Sequence, residues 1–270
     1  MIKTLRATAG LLAVTALASA QAVSVTTPAF SYGQSFDSLT TSTAATPWVN
    51  DSTLAGWSLF IASGAAAPTY GADIGSSNAG TFRSFGAAGN GERALGSVAS
   101  GGAYFGAPAT GAVAGWIAVA FSNDTGSALS GFDIGYSGEQ WRNGGNTATQ
   151  SLVLEYGYGA TFAAVTSWTA PGGSFDFTSP VVGATAAAVD GNAAGLVTGL
   201  GGSVGTSWAA GDTLWVRWAD RNDLGNDHGL AIDNLSFSVS AVPEPGNWAL
   251  LSAGLAMMAF IVRRRRLPGR

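Results

Sequence analysis

The chain has 270 residues, no cysteine and a formal net charge of −4. The lack of cysteine excludes disulfides and thiolate chemistry, so a hydrophobic core has to hold the fold. Seven of the 12 basic residues lie in the first 22 and last 29 positions, which leaves five arginines against 15 acidic residues in 23–241, a net charge of −10. Such a body repels phosphate backbones, which excludes nucleic acid as a partner, and it suits divalent cations or neutral glycans.

The N-terminus has the three parts of a secretory signal peptide. Lys3 and Arg6 give a positive start, residues 9–18 are apolar, and the Ala-Ser-Ala sequence at 18–20 is a small-residue cleavage site, with a second such site two residues later. The sequence therefore predicts a signal peptide over residues 1–22 and export of the chain.

The composition of residues 23–241 predicts a single, nearly all-β domain. Glycine is abundant and no long stretch of good helix formers has helical spacing, which is typical of strands joined by glycine turns. In one segment Leu152, Leu154 and Tyr156 share a face while Glu155 points the other way, the alternation of a half-buried strand. The clearest strand segments are 113–121, 131–136, 151–158, 213–219 and 230–239. Weaker candidates are 36–39, 56–61, 81–85, 103–106 and 181–189, with a helical turn at 184–188 as the alternative.

The spacing of these segments predicts the architecture. About ten short strands with turn signals every 8–20 residues or so favour a two-sheet antiparallel sandwich, with a jelly roll as the expected topology. The Gly/Ala-rich stretches 64–80 and 86–91 are interpreted as long loops, because strand-like segments resume on both sides.

Trp141 is the candidate ligand platform. It lies among polar residues in the segment 138–146, where an indole could stack on a sugar ring while its neighbours bond the hydroxyls. The alternative is a tryptophan that folds back to cover the edge of the sandwich. The other tryptophans lie in apolar strand segments and are expected in the core.

Two enzyme signatures are weak. Residues 201–205 match Gly-x-Ser-x-Gly around Ser203, and Asp220, Asp223 and Asp227 lie between it and His228, the only histidine. A nucleophile elbow needs a strand before the serine and a helix after it, and this chain has no alternating helices, so a secreted hydrolase is not favoured. His228 is expected to bond the backbone of its loop.

Glycosidase chemistry requires two carboxyls that face each other across a sugar. Outside the C-terminal tail the only glutamates are Glu92, Glu139 and Glu155, and the sequence does not place them in one cleft with an aspartate. A glycosidase is therefore not favoured either.

An acidic loop is the most distinctive feature of the body. Asp220, Asp223, Asp227 and Asp233 crowd together in sequence with two asparagines between them, which favours a hard cation with oxygen ligands, and outside the cell calcium is the expected ion. Asp233 shares strand parity with the apolar residues at 235, 237 and 239, so it is expected to point inward. The spacing fails the EF-hand template. The alternative is that the loop aspartates form turns and that Asp233 accepts backbone hydrogen bonds.

The C-terminus carries an apolar run from Trp248 to Val262 followed by four arginines. As a helix this run reaches only about 22 Å, against a hydrocarbon core of about 30 Å, so it is a marginal membrane span. The arginines are expected to stay on the cytoplasmic side, which leaves the preceding residues outside the membrane. These arginines are Arg263, Arg264, Arg265 and Arg266.

Val-Pro-Glu-Pro at 242–245, the short apolar helix and the arginine cluster resemble the PEP-CTERM sorting signal of Gram-negative bacteria. The resemblance covers residues 242–270 and implies that exosortase, a membrane-embedded cysteine transpeptidase, recognises Pro243, Glu244 and Pro245. It implies transient residence in the inner membrane, followed by release or attachment at the cell surface.

The segment 214–237 also resembles the strand, acidic loop and last strand of jelly-roll domains of the carbohydrate-binding-module kind. In those domains the first strand pairs beside the last and a structural calcium commonly sits near their junction. Phe36 and Asp37 are the candidates for that first strand, which adds Asp37 to the expected calcium ligands.

These observations together predict an exported, exosortase-sorted structural protein of the cell surface or of an extracellular, polysaccharide-associated matrix, without catalysis of its own. A glycan-binding module is the alternative, and a secreted hydrolase is the third hypothesis.

Overall fold

The computed structural model describes residues 22–241 and 254–258. Residues 22–241 form 15 strands and three short 3-10 helices, the latter at Ala103–Phe105, Phe162–Ala164 and Gly173–Phe175. The strands, in chain order, are β1 (Val23–Val25), β2 (Ser31–Gln34), β3 (Thr46–Pro47), β4 (Trp57–Ile61), β5 (Thr69–Asp73), β6 (Thr81–Phe85), β7 (Ala94–Val98), β8 (Val113–Asn123), β9 (Leu129–Asn143), β10 (Ser151–Tyr158), β11 (Phe177–Thr178), β12 (Ala187–Ala188), β13 (Leu196–Trp208), β14 (Thr213–Arg221) and β15 (Gly229–Ala241).

The strands form two sheets, which confirms the predicted all-β, two-sheet class. The six-stranded sheet has the order β1-β8-β14-β10-β11, with β4 also paired to β8. The nine-stranded sheet has the order β12-β9-β15-β7-β6-β5-β3, with β13 on β9 and β2 on β15. The pairs β1–β8 and β5–β6 are parallel, and the other strand pairs described are antiparallel.

The main core fills the space between the sheets. Alternate residues of β8, such as Ile117, Val119 and Phe121, point into it, while Ala118 and Ala120 lie on the opposite face of the strand. Aromatic rings pack face to face across this core, as in the pair Phe121 and Phe237, whose centroids are 3.8 Å apart. Period-two alternation therefore separates inner from outer residues along each long strand.

Each sheet also carries a smaller buried cluster on its outer face. On the six-stranded sheet, Trp215 packs with Val165 and the alanines of β8. On the nine-stranded sheet, Phe85 stacks on Trp141 at 6.2 Å, beside Ala231 of β15. The loop 189–195 lies over this second cluster, because a Cβ at Gly191 would come within 2.3 Å of the Trp141 ring.

All five strong strand predictions and two of the weaker ones, 56–61 and 81–85, correspond to strands. Three weaker predictions are wrong, since 103–105 is a 3-10 helix, only two residues of 181–189 are extended, and 36–39 is a turn. Phe36 has a φ of 58°, a left-handed conformation that ends the preceding strand, and its N–H bonds Gln34 Oε1 at 2.8 Å. The predicted loop 64–80 contains β5, and the strands β1, β2, β3, β7, β11 and β13 were not predicted.

The predicted terminal segments fall largely outside the described residues. These are the signal peptide, the Pro-Glu-Pro motif with its arginine cluster, and the apolar run 248–262 apart from 254–258, which are helical. In the described part of the chain, no helix is long and apolar enough to cross a membrane.

Candidate metal centre

The site forms where β15, which pairs with β9 on one side, passes from one neighbouring strand to another on its other side. The first part of β15, Gly229–Ile232, pairs with β7, and the segment from Leu235 to Ser238 pairs with β2. Between them Asn234 adopts a φ of 51°, a left-handed conformation that asparagine tolerates, and the register with β9 shifts. The bulge leaves Asp233 at a gap between two edge strands.

Three carboxylates converge at this gap. Asp233 pairs with Ser137 of β9, and Glu139, two residues further along β9, lies diagonally across on the same face. Glu92 arrives from the loop that precedes β7. One oxygen from each of Asp233, Glu139 and Glu92 lies within 4.8 Å of the other two.

Glu139 and Asp233 are buried and Glu92 is partly buried, but the hydrogen bonding of the three carboxylates is incomplete. Glu139 is 1% exposed and Asp233 is 2% exposed. Glu139 accepts from Trp141 Nε1 at 2.8 Å, Asp233 Oδ2 accepts from Asn234 Nδ2 at 2.6 Å, and Glu92 Oε2 accepts from an asparagine at 2.6 Å. Asp233 Oδ1 and Glu92 Oε1 are buried and have no hydrogen-bond partner. Two lone acceptors in a buried, acidic site require a cation or protons to be stable.

The pKa values agree with this requirement. The pKa of Glu139 is raised to about 8, mainly by burial and to a smaller extent by the negative charges of Asp233 and Glu92, while the hydrogen bond from Trp141 opposes the change. Burial likewise raises the pKa of Asp233 to about 7, with added contributions from Glu92 and Asp37. The ionised forms of both groups are therefore destabilised in the absence of a bound cation.

The spacing fits calcium. Calcium binds oxygen at about 2.3–2.6 Å, so two ligands on opposite sides of the ion lie up to about 5 Å apart, which accommodates a mutual separation within 4.8 Å. Carboxylate oxygens are the ligands that this hard cation prefers. Asp37 is near enough for its charge to contribute to the raised pKa of Asp233, but it is not one of the three clustered carboxylates, and its Oδ1 accepts the backbone N–H of Arg93 at 3.0 Å.

The predicted ligand set is divided by the fold. Of the five predicted ligands only Asp233 belongs to the carboxylate cluster at the gap; Asp37 is outside it, and Asp220, Asp223 and Asp227 lie at the end of β14 and in the loop before β15. The parity prediction for Asp233 is wrong, because the residue inserted at Asn234 reverses the alternation: Ile232 and Leu235 both face the main core, and Asp233 faces outward with Ala231. Asp233 is nevertheless buried beneath the covering loops.

The acidic loop itself is held by hydrogen bonds within the protein. Asp220 is buried between the sheets, where Ser97 Oγ donates to it at 2.5 Å, and burial raises its pKa well above the ordinary value. Asp227 accepts the N–H of Asp223 at 2.7 Å. Among the described residues, these three aspartates do not form a carboxylate cluster compact enough for a metal ion. The turn-forming alternative describes the loop better than the calcium hypothesis.

Trp141 is not accessible as a sugar platform. Its indole is 2% exposed, stacks on Phe85 and donates its only N–H to Glu139. The structure thus corrects the binding hypothesis: the residue covers the outer face of the sheet and orients one of the carboxylates.

The residues of the hydrolase hypothesis are far from a catalytic arrangement. Ser203 lies inside β13 and bonds Asp133 of β9. Both ring nitrogens of the buried His228 are occupied by the backbone, since Nδ1 accepts from the Gly144 N–H at 2.9 Å and Nε2 lies 3.2 Å from the Ala148 carbonyl. Burial also lowers the pKa of His228, which keeps the ring neutral.

A glycosidase cleft does not result from the convergence of Glu92, Glu139 and Asp233. A sugar ring cannot reach carboxyls that are 1% and 2% exposed, and hydrolysis requires the substrate to lie between the two groups. The arrangement suits an ion and not a substrate.

Sequence reasoning missed Glu92 and Glu139 as ligands. The strand predicted at 131–136 ended too early, whereas β9 runs on to Asn143 and places Glu139 on the outer face beside Asp233. The available signal in the sequence was the glutamate itself, an acidic residue within a segment that continues as a strand. Glu92 lies in a polar loop with no local motif.

No known family model matches this chain, and comparison with curated proteins finds none with significant sequence similarity.

Proposed function

We propose that this chain is an exported structural protein of the cell surface or extracellular matrix, without catalysis of its own, whose β-sandwich is completed by a calcium ion. The N-terminal signal, the Pro-Glu-Pro segment and the arginine cluster support export and sorting by exosortase, with the inner membrane as a transient station and extracellular polysaccharide as the expected surroundings.

One observation carries the calcium assignment: three carboxylates meet within 4.8 Å, and two of their buried oxygens have no partner in the protein. The ion would bridge β9, β15 and the loop before β7, elements that are distant in sequence. Binding stabilises the folded state to an extent that increases with how far the calcium concentration exceeds the Kd. The ion would therefore stabilise the chain only after export, where the calcium concentration is high enough to fill the site.

Isothermal titration calorimetry on residues 23–241, stripped with EDTA, tests this assignment. We expect one calcium per chain, with a Kd of about 10⁻⁴–10⁻³ M, the range of extracellular calcium-binding modules. Glu139→Gln and Asp233→Asn each keep the side-chain shape and remove one charged ligand, so each should weaken binding by at least about tenfold.

Asp227→Asn is the matched control, since it removes a carboxylate from the acidic loop. This variant should bind calcium as the unaltered protein does. Absence of calcium binding, or loss of binding in Asp227→Asn with retention in Asp233→Asn, would refute the assignment.

Sorting has its own test. Alanine at Pro243, Glu244 and Pro245 should leave the chain at full mass in the membrane fraction of the exporting cell, while Pro268→Ala, beyond the arginine cluster, should not alter processing. Intact-mass measurement and cell fractionation report both results. A triple variant that reaches the same location with the same mass as the natural chain would contradict exosortase processing.

A further inference from the structure

A cavity opens on the outer face of the nine-stranded sheet, apart from the buried carboxylates. Its volume is about 830 Å³, and its walls come from β5, β6, the loop 86–93 and the segment 41–43. Ligand pockets commonly have volumes of about 300–1,000 Å³, so a molecule the size of a monosaccharide fits.

Arg83 is the unusual group in this wall. It is 9% exposed, and its Nη2 donates to Ser77 Oγ at 3.0 Å and to the Ala79 carbonyl at 3.1 Å. Nη1 lies 3.9 Å from Asp73 Oδ2, which is too far for a hydrogen bond, and Nε has no partner either. A mostly buried guanidinium with an unused donor is costly, and an anionic oxygen in the cavity would satisfy it by accepting from Nη1.

Arg93, in the same wall, shows the contrast. The residue is 3% exposed, and its guanidinium donates four hydrogen bonds to backbone carbonyls at 2.8–3.5 Å, three in the turn 87–92 and one at Ser84 of β6. Arg93 therefore has a structural role in shaping the loop. Arg83 is the arginine that keeps bonding capacity for a ligand.

The charge and chemistry of the lining define the ligand class. Two arginines against Asp73 give the wall a net charge of +1, in a body whose net charge is −10. Arginine stays protonated in proteins, so the cavity is a local attraction for an anion. The hydroxyl and amide groups of Thr41, Thr43, Ser76 and Asn90 offer both donors and acceptors to several hydroxyls of one small molecule.

We propose that this cavity binds a sugar that carries a carboxylate, a uronate, with the carboxylate on Arg83 and the ring hydroxyls on the threonine, serine and asparagine side chains. None of the three clustered carboxylates lines this cavity, so the uronate proposal and the calcium assignment can be tested separately.

Titration calorimetry of the purified full-length protein with D-galacturonate and D-glucuronate, and with neutral D-galactose and D-glucose, tests the proposal. One uronate should bind at least about tenfold more tightly than its neutral counterpart, since a hydrogen bond to a charged group contributes this much. Equal affinity for acid and neutral sugar, or no binding of either uronate, would overturn the proposal. Acetate binding as tightly as the uronates would overturn the assignment to a sugar.

Arg83→Met should abolish the preference for the acid, and Arg221→Met is the control because it removes an exposed arginine that does not line the cavity. Ala88→Trp, at an exposed position of the lining, fills the space and should abolish binding while Arg83 is intact. Thermal unfolding shows whether each variant is folded. If Arg83→Met does not fold, Ala88→Trp alone tests whether the uronate binds in this cavity. Uronate binding that persists in Ala88→Trp would place the sugar elsewhere and refute the site.

Discussion

The carboxylate gap predicts that one substitution changes stability in opposite directions with and without calcium. Asp233→Asn removes a ligand, so it should destabilise the protein when calcium is present. The same change removes a buried carboxylate whose ionisation is unfavourable beside two other carboxyl groups, so above the pKa of Asp233 it should stabilise the protein when calcium is absent. A carboxylate kept only to accept hydrogen bonds gives no such reversal.

The magnitudes follow from binding and from charge. Calcium at 100 times its Kd adds about 2.7 kcal/mol, and one kcal/mol shifts the melting temperature of a domain of this size by about 2–4 °C, so removal should lower it by about 5–10 °C. At pH 8 Asp233, with its pKa of about 7, is ionised in the empty site. Asp233→Asn removes the cost of burying this charge and its repulsion with Glu92, which is expected to raise the free energy of unfolding by about 1–3 kcal/mol.

Differential scanning calorimetry of residues 23–241 at pH 8, in 10 mM calcium and in EDTA, measures both effects. The exposed Asp212→Asn variant is the control and should change the melting temperature by no more than about 2 °C in either condition. Equal destabilisation of Asp233→Asn in both conditions would show that Asp233 serves only as a hydrogen-bond acceptor, and the metal site would be refuted.

Three further predictions concern pH, stacking and linkage. Burial raises the pKa of Asp227 to about 7 in the folded protein, against about 4 in the unfolded chain. The contribution of Asp227 to stability is therefore full below pH 4 and is lost as the pH rises to 7. Between pH 5 and pH 8, Asp227→Asn should lose less stability than the unaltered protein, as measured by thermal unfolding. The Arg217 guanidinium lies 3.7 Å from the Trp168 ring centroid, so Arg217→Lys, which keeps the charge without the planar stack, should cost about 1 kcal/mol in denaturant unfolding, and an unchanged midpoint would contradict the contact. The loop 86–93 supplies Glu92 to the carboxylate gap and also lines the cavity, so galacturonate titrations should show tighter binding with calcium than with EDTA; equal affinity would exclude linkage.

Strong alternation made much of the fold predictable from sequence. Segments with large apolar residues at every second position, such as β8, β10 and β14, were placed correctly, and their number was enough to indicate a two-sheet sandwich. The strands β7 and β13 were missed because they contain small residues. At Gly201 in β13 an added Cβ would come within 2.0 Å of the Ile134 carbonyl, so close cross-strand packing requires glycine where a sequence pattern indicates a turn.

The site was less predictable, for two physical reasons. Period-two parity holds only while a strand is regular, and the left-handed Asn234 reversed the face on which Asp233 lies. Ligands were also sought within one acidic loop, whereas Glu92, Glu139 and Asp233 are brought together by the pairing of β9 with β15 and by the start of β7. Because these three residues are far apart in the sequence, their positions form no local motif that could be recognised.

Buried charged residues are paired within the protein on the outer face of the six-stranded sheet and lack some partners on the outer face of the nine-stranded sheet. This difference supports ligand binding on the nine-stranded sheet. On the six-stranded sheet Arg217 and Glu155 form a direct ion pair at 2.7 Å, which compensates both charges within the protein. On the nine-stranded sheet Asp233 and Arg83 are both at least nine-tenths buried, and each keeps a buried polar atom without a hydrogen-bond partner. Unpaired buried groups lower stability, so a face that holds two such groups of opposite sign is best explained by two external partners, a cation for the carboxylates and an anion for the arginine.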